Sequence, residues 1–142
     1  DLLPPTTLKI IYTHEQIIYV GAQKDVRPFL ALSNIFVFPS YREGFPNVVL
    51  EAGAMGLPAI VTDINGSNEI IVHEQNGLII PSGNQDALLK SMQRLTIDKA
   101  LVAKMKANAR PYITRRYDNK LVWSEQLKEY EEIISNGNKK FH

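Results

Sequence analysis

The sequence predicts an α/β domain in which a doubly wound parallel sheet is followed by C-terminal helices. Short and almost fully apolar segments recur up to residue 80, and segments with helical spacing lie between them. Apolar runs of this length are typical of strands that are covered on both faces, as in a parallel sheet. Helices that connect such strands cross over in a right-handed sense and cover the two faces. From residue 84 onward the pattern is helical throughout.

Four segments are predicted to be strands. They are rich in β-branched, aromatic or aliphatic residues and span 17–20, 35–38, 58–62 and 77–80. Gly21, Pro39 and Pro81 directly follow three of these segments. Such residues end strands because glycine favours turns and proline lacks the backbone donor that a strand ladder needs.

Six further segments have helical spacing. They span 25–32, 46–55, 68–73, 85–95, 98–115 and 119–135. Asp25 is expected to cap the first helix, and Pro28 fits its first turn. Gly56 closes the second helix, and Asn76 with Gly77 forms a turn before the last strand. Residues 136–142 are expected to be a frayed end.

Three predicted loops should meet at one edge of this sheet. They follow the carboxyl ends of parallel strands and cover residues 21–23, 40–47 and 63–67. In open α/β sheets ligands bind at this edge, outside the carboxyl ends of the strands. The sequence therefore predicts a ligand site built from these loops.

The helix predicted to begin at Pro46 carries a single charge, Glu51, on an otherwise apolar sequence. Burying an unpaired carboxylate is costly, so Glu51 is expected to face a cleft or a ligand. Glu43 lies in the loop that enters the helix. The first backbone N–H groups, from Asn47 onward, lack acceptors within the helix and carry the positive end of its dipole. A diphosphate bound there would sit between the two carboxylates.

Composition narrows the class of protein. The chain has 142 residues, 44% of them hydrophobic, which favours a single domain with a sizeable core. It has no cysteine, which excludes a disulfide scaffold and thiolate metal sites and suits a reducing compartment. No run is long enough to span a membrane. His14, His73 and His142 lack metal-like spacing, so no metal site is expected.

Positive charge is concentrated in residues 90–120, although the net charge of the chain is only +1. Nine Lys or Arg residues stand there against Asp98 and Asp118. Such a stretch suits contact with anionic lipid, but a solvated pair of helices is the favoured interpretation. No feature indicates nucleic-acid binding.

Several of these residues also have a purely structural interpretation. Asn47 and Glu51, four residues apart, could form the wet stripe of an amphipathic helix. Glu69 could satisfy backbone N–H groups at a helix start. Gly66 follows Asn65 in a sequence that first suggests a turn. Trp123 and Tyr130, seven residues apart on one helical face, are expected to serve in packing.

Five segments together resemble the C-terminal donor-binding domain of retaining glycosyltransferases with the GT-B fold, the glycosyl transferases group 1 family. The similarity is greatest to bacterial enzymes that build capsule or lipopolysaccharide glycans. The segments are 38–47 (Phe-Pro-Ser-Tyr-Arg-Glu-Gly-Phe-Pro-Asn), Glu51-Ala52, Gly56-Leu57-Pro58, 63–71 and 76–81. In that family the domain is the Rossmann-like half of the enzyme, so the resemblance agrees with the fold class predicted above.

The resemblance implies a role for each residue of the loop and helix. Glu43 is implied as the catalytic-site residue that contacts the donor sugar, and Glu51 as the acceptor of hydrogen bonds from the ribose hydroxyls. The loop and first helical turn would hold the diphosphate and sugar; these donor-binding residues are Gly44, Phe45, Pro46, Asn47 and Val48. Gly21 and Gln23 would lie near the base. The family needs no obligatory metal, and no cofactor other than the nucleotide-sugar donor is implied.

Two parts of the family pattern are not found in these 142 residues. They are an Arg and Lys pair that clamps the diphosphate, with the first strand and helix that carry it, and the N-terminal domain that binds the acceptor. The chain is therefore expected to be a fragment that is inactive alone. The parent is expected to move a sugar, with UDP the expected carrier, to a glycan or lipid-linked acceptor. It would work in the cytoplasm, at the inner face of the plasma membrane if the positive stretch binds lipid.

Two other classes remain open at this point. The chain could be a non-catalytic nucleotide-sugar-binding module, although Glu43 and Glu51 speak against decay of the site. It could also be a receiver-like signalling domain. That class needs an acidic cluster at the end of the first strand and a lysine at the end of a later one, whereas Asp63 follows Thr62 alone.

Overall fold

The computed structural model describes residues 3–138. In this range three strands and seven helices follow one another along the chain. They are α1 (Pro5–Thr13), α2 (Arg27–Leu32), β1 (Phe36–Phe38), α3 (Asn47–Ala54), β2 (Ala59–Thr62), α4 (Ser67–Ile70), β3 (Gly77–Ile80), α5 (Gln85–Ile97), α6 (Lys99–Tyr117) and α7 (Asn119–Asn138). Residues 136–142 were expected to be frayed. Residues 136–138 belong to α7, whereas 139–142, which include His142, lie outside the described residues.

The strands form one parallel sheet in the order β1-β2-β3. Phe36 is in register with Ala59, and Ala59 with Gly77. Three of the four predicted strands are thus confirmed, and so is the α/β class with a parallel sheet and C-terminal helices. All four residues of β2 are buried, because β2 is central and helices cover both of its faces.

The predicted strand at 17–20 is wrong. These residues are irregular and exposed, and Ile18 is 84% accessible to solvent. A strand is stable only when its backbone groups pair with a neighbour. Among the described residues the sheet ends at β1, and no strand lies beside 17–20. Tyr19 instead packs edge-on against Tyr12 of α1, with ring centroids 5.1 Å apart.

Helix α1 was not expected from the sequence. Its start is Pro5, directly after Pro4, and two adjacent prolines suggest a loop. A proline nevertheless fits the first helical position, because the N–H that it lacks would have no intrahelical acceptor. The prolines therefore stand at the start of α1 without interrupting it.

Several helix ends differ from the prediction by a few residues, and two of these differences have a visible cause. Helix α2 begins at Arg27, and the Asp25 carboxylate accepts from its backbone N–H (3.0 Å) and from its guanidinium (2.8 Å). This pairing lowers the pKa of Asp25 to about 2. Helix α4 ends at Ile70, because buried Asn76 donates to the Ile70 carbonyl (3.1 Å) and accepts from the Val72 N–H (2.7 Å). These bonds hold the chain outside the helical path.

The two faces of the sheet carry separate cores. On one face Val49, Ala59, Val61, Ile70, Ile71 and Ile113 pack together. On the other face the cluster is Ile60, Leu78, Ile80, Leu95 and Met105. Neighbouring residues of one strand point to opposite faces, so β2 contributes to both clusters.

Helix α6 also contributes to both clusters, through Met105 and Ile113. Between these residues, Asn108 donates to the Gln75 carbonyl (3.1 Å), just before β3. Lys106 donates to the Asn34 side chain (3.3 Å), just before β1. Helix α6 therefore passes from one face of the sheet to the other along the amino ends of the strands.

Helix α7 leaves its large apolar residues exposed in the described chain. Trp123 is 64% and Tyr130 is 62% accessible to solvent. The expectation that these two residues serve in packing is therefore not confirmed within residues 3–138.

In the same range, no helix combines the length and the hydrophobicity that crossing a membrane requires.

Helices α3 and α6 approach each other closely at Gly53. A β-carbon at this buried position would lie 2.6 Å from Cγ1 of Ile113 and 3.2 Å from its Cδ1. Real β-carbons essentially never lie at the shorter distance, so only glycine fits here unless the Ile113 side chain moves. Glycine in a helix normally costs about 1 kcal/mol relative to alanine, and packing outweighs that cost here.

We expect Gly53→Ala to destabilise the protein by about 1–3 kcal/mol, because the new methyl group overpacks the α3–α6 contact. In the Ile113→Ala background the same change should be neutral or stabilising, since the obstructing side chain is gone and alanine favours the helix. Urea unfolding of the four proteins of this cycle gives the measurement. Equal destabilisation in both backgrounds would contradict the role assigned to Ile113.

Candidate functional site

The candidate site lies where the loops leave the carboxyl ends of the strands. The Thr62 hydroxyl at the end of β2 donates to the Ser40 carbonyl, which follows β1. A pocket of about 290 Å³ opens between the three strand ends. It is lined by the loops after β1 and β3, the ends of β2 and β3, and α5; Glu43, Asn47 and Glu51 are not among the lining residues, which are Pro39, Tyr41, Thr62, Ile80, Pro81, Gly83, Asn84, Gln85 and Leu88. The site is thus at the edge that the sheet topology predicts.

Glu43 is held in place within the first loop. It is half-buried, and its Oε1 accepts a hydrogen bond from the Ser40 hydroxyl at 2.8 Å. Because the Ser40 carbonyl is in turn bonded to Thr62, the position of Glu43 depends on the end of β2. Its Oε2 has no hydrogen-bond partner among the described residues, so it can accept from a ligand hydroxyl.

The second loop packs against the first through backbone contact at Gly66. This residue has φ +79°, and a β-carbon on it would meet the Gly44 carbonyl and lie 2.9 Å from Cδ of Pro46. Its N–H donates to Oε1 of Glu69 at 3.2 Å. Glu69 therefore acts at a helix start, as its structural interpretation predicts, and Gly66 allows the two loops to touch.

Helix α3 begins directly after Pro46 with no side-chain cap in the described structure. Asn47 and Val48 are exposed at its first turn. The Val49 N–H donates to the Pro46 carbonyl (3.0 Å). The backbone donors of Asn47 and Val48 therefore stay available to a ligand, at the positive end of the helix.

Glu51 lies one turn further along α3 and is exposed to solvent. Among the described residues its carboxylate forms no ion pair and no hydrogen bond. The sequence predicts a ligand for Glu51 from the cost of burying an unpaired carboxylate, and that cost is absent because Glu51 is exposed. The case for a binding role now rests on the position of Glu51 beside the helix start. Asn47, four residues earlier, is exposed as well, which fits both the wet-stripe and the ligand-binding interpretation.

The third predicted loop does not join the other two in the structure. Gly21 has φ +64° with open space around its α-carbon, and the Gln23 amide donates to the Val20 carbonyl. Both residues are exposed. No hydrogen bond in the described chain links residues 21–23 to the Glu43 loop, so their contact with a ligand stays a prediction.

The Glu43 loop also contacts the end of α6. The Phe45 and Tyr117 rings pack with centroids 5.6 Å apart, and the Tyr117 hydroxyl donates to the Glu69 carbonyl at 3.0 Å. Burial raises the pKa of Tyr117 above its usual value. Sequence reasoning missed Tyr117, Ser40 and Thr62. Only the last two carry a signal, because both are polar residues at the ends of apolar strands.

A parallel α/β domain with an open helix start between two carboxylates is typical of the Rossmann-like half of GT-B glycosyltransferases. Residues 11–112 match the description "Glycosyl transferases group 1". The chain belongs to this family. Membership rules out the receiver-like alternative.

Two bacterial glycosyltransferases are among the relatives that the chain resembles. The chain is 36% identical over 118 residues to N,N'-diacetylbacillosaminyl-diphospho-undecaprenol alpha-1,3-N-acetylgalactosaminyltransferase of Campylobacter jejuni, covering 83% of the chain and 31% of that protein. It is 33% identical over 92 residues to the capsular polysaccharide biosynthesis glycosyltransferase CapM of Staphylococcus aureus, covering 65% and 24%. The chain thus spans about a quarter to a third of the length of these relatives.

Solved structures share the fold over most of the chain. Sucrose-phosphate synthase from Thermosynechococcus elongatus superposes with a TM-score of 0.83 and 25% identity, over 92% of this chain and 34% of that one. Anabaena Alr3699/HepE, solved in complex with UDP-glucose, superposes with a TM-score of 0.76 and 22% identity, over 84% and 33%. The second likeness is one of fold.

We expect Gly66→Ala to be more destabilising than Gly56→Ala by at least about 1 kcal/mol, because only the first adds a collision to the backbone strain. The two glycines have nearly equal φ, +79° and +81°, but a β-carbon on Gly56 has no neighbour within 4 Å. Both variants bear the cost of placing a side chain at positive φ, about 1–3 kcal/mol. Thermal unfolding of the pair measures the difference. Equal losses would show that the contact between the loops is not restrictive.

Proposed function

We propose that this chain is the donor-binding part of a retaining glycosyltransferase that takes a sugar from a nucleotide diphosphate sugar, with UDP as the carrier. The observation that carries the proposal is the uncapped start of α3. It lies directly after a loop that fixes Glu43, and Glu51 follows one turn later. Family membership and the fold shared with a UDP-glucose-bound protein support it.

The diphosphate is proposed to bind at the first turn of α3. The N–H groups of Asn47 and Val48 would donate to phosphate oxygens, and the helix dipole would favour their charge. The backbone of Gly44 to Pro46 lies beside this first turn. Gly44 has no side chain that could block the phosphates. The leaving diphosphate would be stabilised by these donors, and the proposal includes no obligatory metal.

The two carboxylates are proposed to bind rather than to exchange protons. An ionised carboxylate can accept from two vicinal hydroxyls, and such charge-assisted bonds are about twice as strong as neutral ones. Glu51 would accept from the ribose. Glu43, held by Ser40, would contact the donor sugar. Retention would then come from displacement on one face of the sugar, without an enzyme nucleophile.

The base is proposed to lie near Gly21 and Gln23. Both are exposed, so their backbone groups are accessible to a ligand in the described structure. Because these residues have only local contacts there, this part of the proposal rests on the family pattern and not on geometry.

The acceptor is proposed to be a glycan or a lipid-linked glycan of capsule or lipopolysaccharide synthesis, bound through a further domain. The names of the Campylobacter and Staphylococcus relatives support this class. A lipid-linked acceptor would place the parent in the cytoplasm at the inner face of the plasma membrane. The nine cations of residues 90–120 would suit that surface.

We expect this chain to bind UDP with a Kd on the order of 0.1–1 mM, because it has the helix start and Glu51 but no cationic clamp for the diphosphate. UMP should bind more weakly, and uridine weakest, since each loses contacts to the α3 N–H groups. Calorimetry with the three ligands, with magnesium or with EDTA, gives the comparison. Equal affinity for uridine and UDP would remove the phosphate site from α3.

We expect Glu51→Gln to raise the donor KM of a full-length parent, because ribose contacts are alike in the ground and transition states. Glu43→Gln should mainly lower kcat, since charge develops at the sugar that it contacts. Glu131→Gln, on the exposed surface of α7, is the matched control and should change neither constant. Steady-state kinetics decide, and equal losses of kcat from both site variants would remove the distinction between the two carboxylates.

A further inference from the structure

Tyr117 reaches two separate supports of the candidate site from the last residue of α6. Its ring packs on Phe45 in the Glu43 loop, with centroids 5.6 Å apart and planes inclined by 55°. Its hydroxyl donates to the main-chain carbonyl of Glu69 in α4 at 3.0 Å. One side chain therefore joins the loops that follow β1 and β2 from outside the sheet.

Helix α4, which Tyr117 contacts at Glu69, is itself connected to the Glu43 loop. The Glu69 side chain accepts from the Gly66 N–H (3.2 Å), and Gly66 touches Gly44 and Pro46. Phe45 lies between those two residues in sequence. Tyr117, Glu69, Gly66 and the Glu43 loop thus form a closed ring of contacts, in which each member limits the movement of the next.

We propose that Tyr117 is a positioning residue that fixes the Glu43 loop and the first turn of α3 in the conformation that receives a donor diphosphate. This inference rests on the proposed function of that site. The donors at a helix start stabilise an anion only when they are already oriented toward it, so movement of residues 44–47 would weaken binding without removing any contact residue.

Arg116 restrains the orientation of Tyr117. Its guanidinium carbon lies 5.4 Å from the centroid of the Tyr117 ring and 5.1 Å from that of Tyr112. These distances are within the range of cation–π attraction. A tyrosine hydroxyl is protonated at neutral pH and so can donate to Glu69, and burial raises the pKa of Tyr117 further above its usual value.

The contact is not needed to anchor α6 on the sheet. Ile113 and Met105 of α6 are already buried in the clusters on the two faces. Tyr117 lies one turn beyond Ile113, where it is only partly buried at the edge of the first cluster and packs beside the loops. Its removal is therefore expected to loosen the site more than it loosens the sheet.

The test compares Tyr117→Phe, Tyr117→Ala and Met105→Ala in the 142-residue chain. Phenylalanine keeps the ring and removes the bond to Glu69, alanine removes both, and Met105→Ala weakens the core on the face of the sheet opposite Ile113. Amide hydrogen exchange is followed at Val49 and Gly66, which report the loops, and at Ile60 and Val61 in β2. UDP affinity is measured by calorimetry on the same proteins.

We expect Tyr117→Phe to speed exchange at Gly66 and Val49 by about two- to tenfold relative to β2, the effect of losing one hydrogen bond. Tyr117→Ala should have a larger effect and raise the UDP Kd in parallel. Met105→Ala should speed exchange in β2 while the UDP Kd of the folded protein stays unchanged.

Exchange that rises equally in the loops and in β2 for Tyr117→Ala would overturn the proposal, as would loosened loops with an unchanged UDP Kd. If the wild-type chain does not bind UDP, the proposed function fails at this site. The exchange comparison then still decides whether Tyr117 holds the loops.

Discussion

The fold depends on burying both faces of one short strand. Every residue of β2 is buried, and neighbouring residues pack into different cores, Ile60 on one face and Val61 on the other. Each face needs helices to cover it, which requires crossover connections on both sides of the sheet. Those connections place the ends of all three strands at one edge. The location of the candidate site is thus a consequence of how β2 is covered.

Contacts of backbone and small groups turn that edge into a defined shape. Thr62, the last residue of β2, bonds to the loop after β1, and that bond supports the Ser40–Glu43 pair. Gly66 brings the next loop into contact with the same segment. Few side chains fill the space between the loops, so the start of α3 remains accessible to a ligand. Thr62 and Gly66 therefore shape the site without being proposed to contact the donor themselves.

The sequence predicted most of the fold, because its strands are local apolar runs with clear ends. It wrongly predicted a strand at 17–20. The composition there is typical of a strand, but no neighbouring strand pairs with these residues, and pairing depends on residues distant in sequence. It also located the Glu43 loop and the helix start, since Pro46 and Glu51 carry strong positional signals. The role of Tyr117 could not be found in this way, because its contacts with Phe45 and Glu69 join residues 72 and 48 positions apart.

Strand β1 is an edge strand of the described sheet, and this has a consequence for handling the protein. Such an edge presents unpaired N–H and C=O groups to other chains. Exposed apolar residues lie nearby in sequence, Ile18 and Tyr19 among them. A net charge of +1 gives little repulsion between molecules. We therefore expect strand-to-strand addition at β1 to be one route by which copies of the chain associate in concentrated solution.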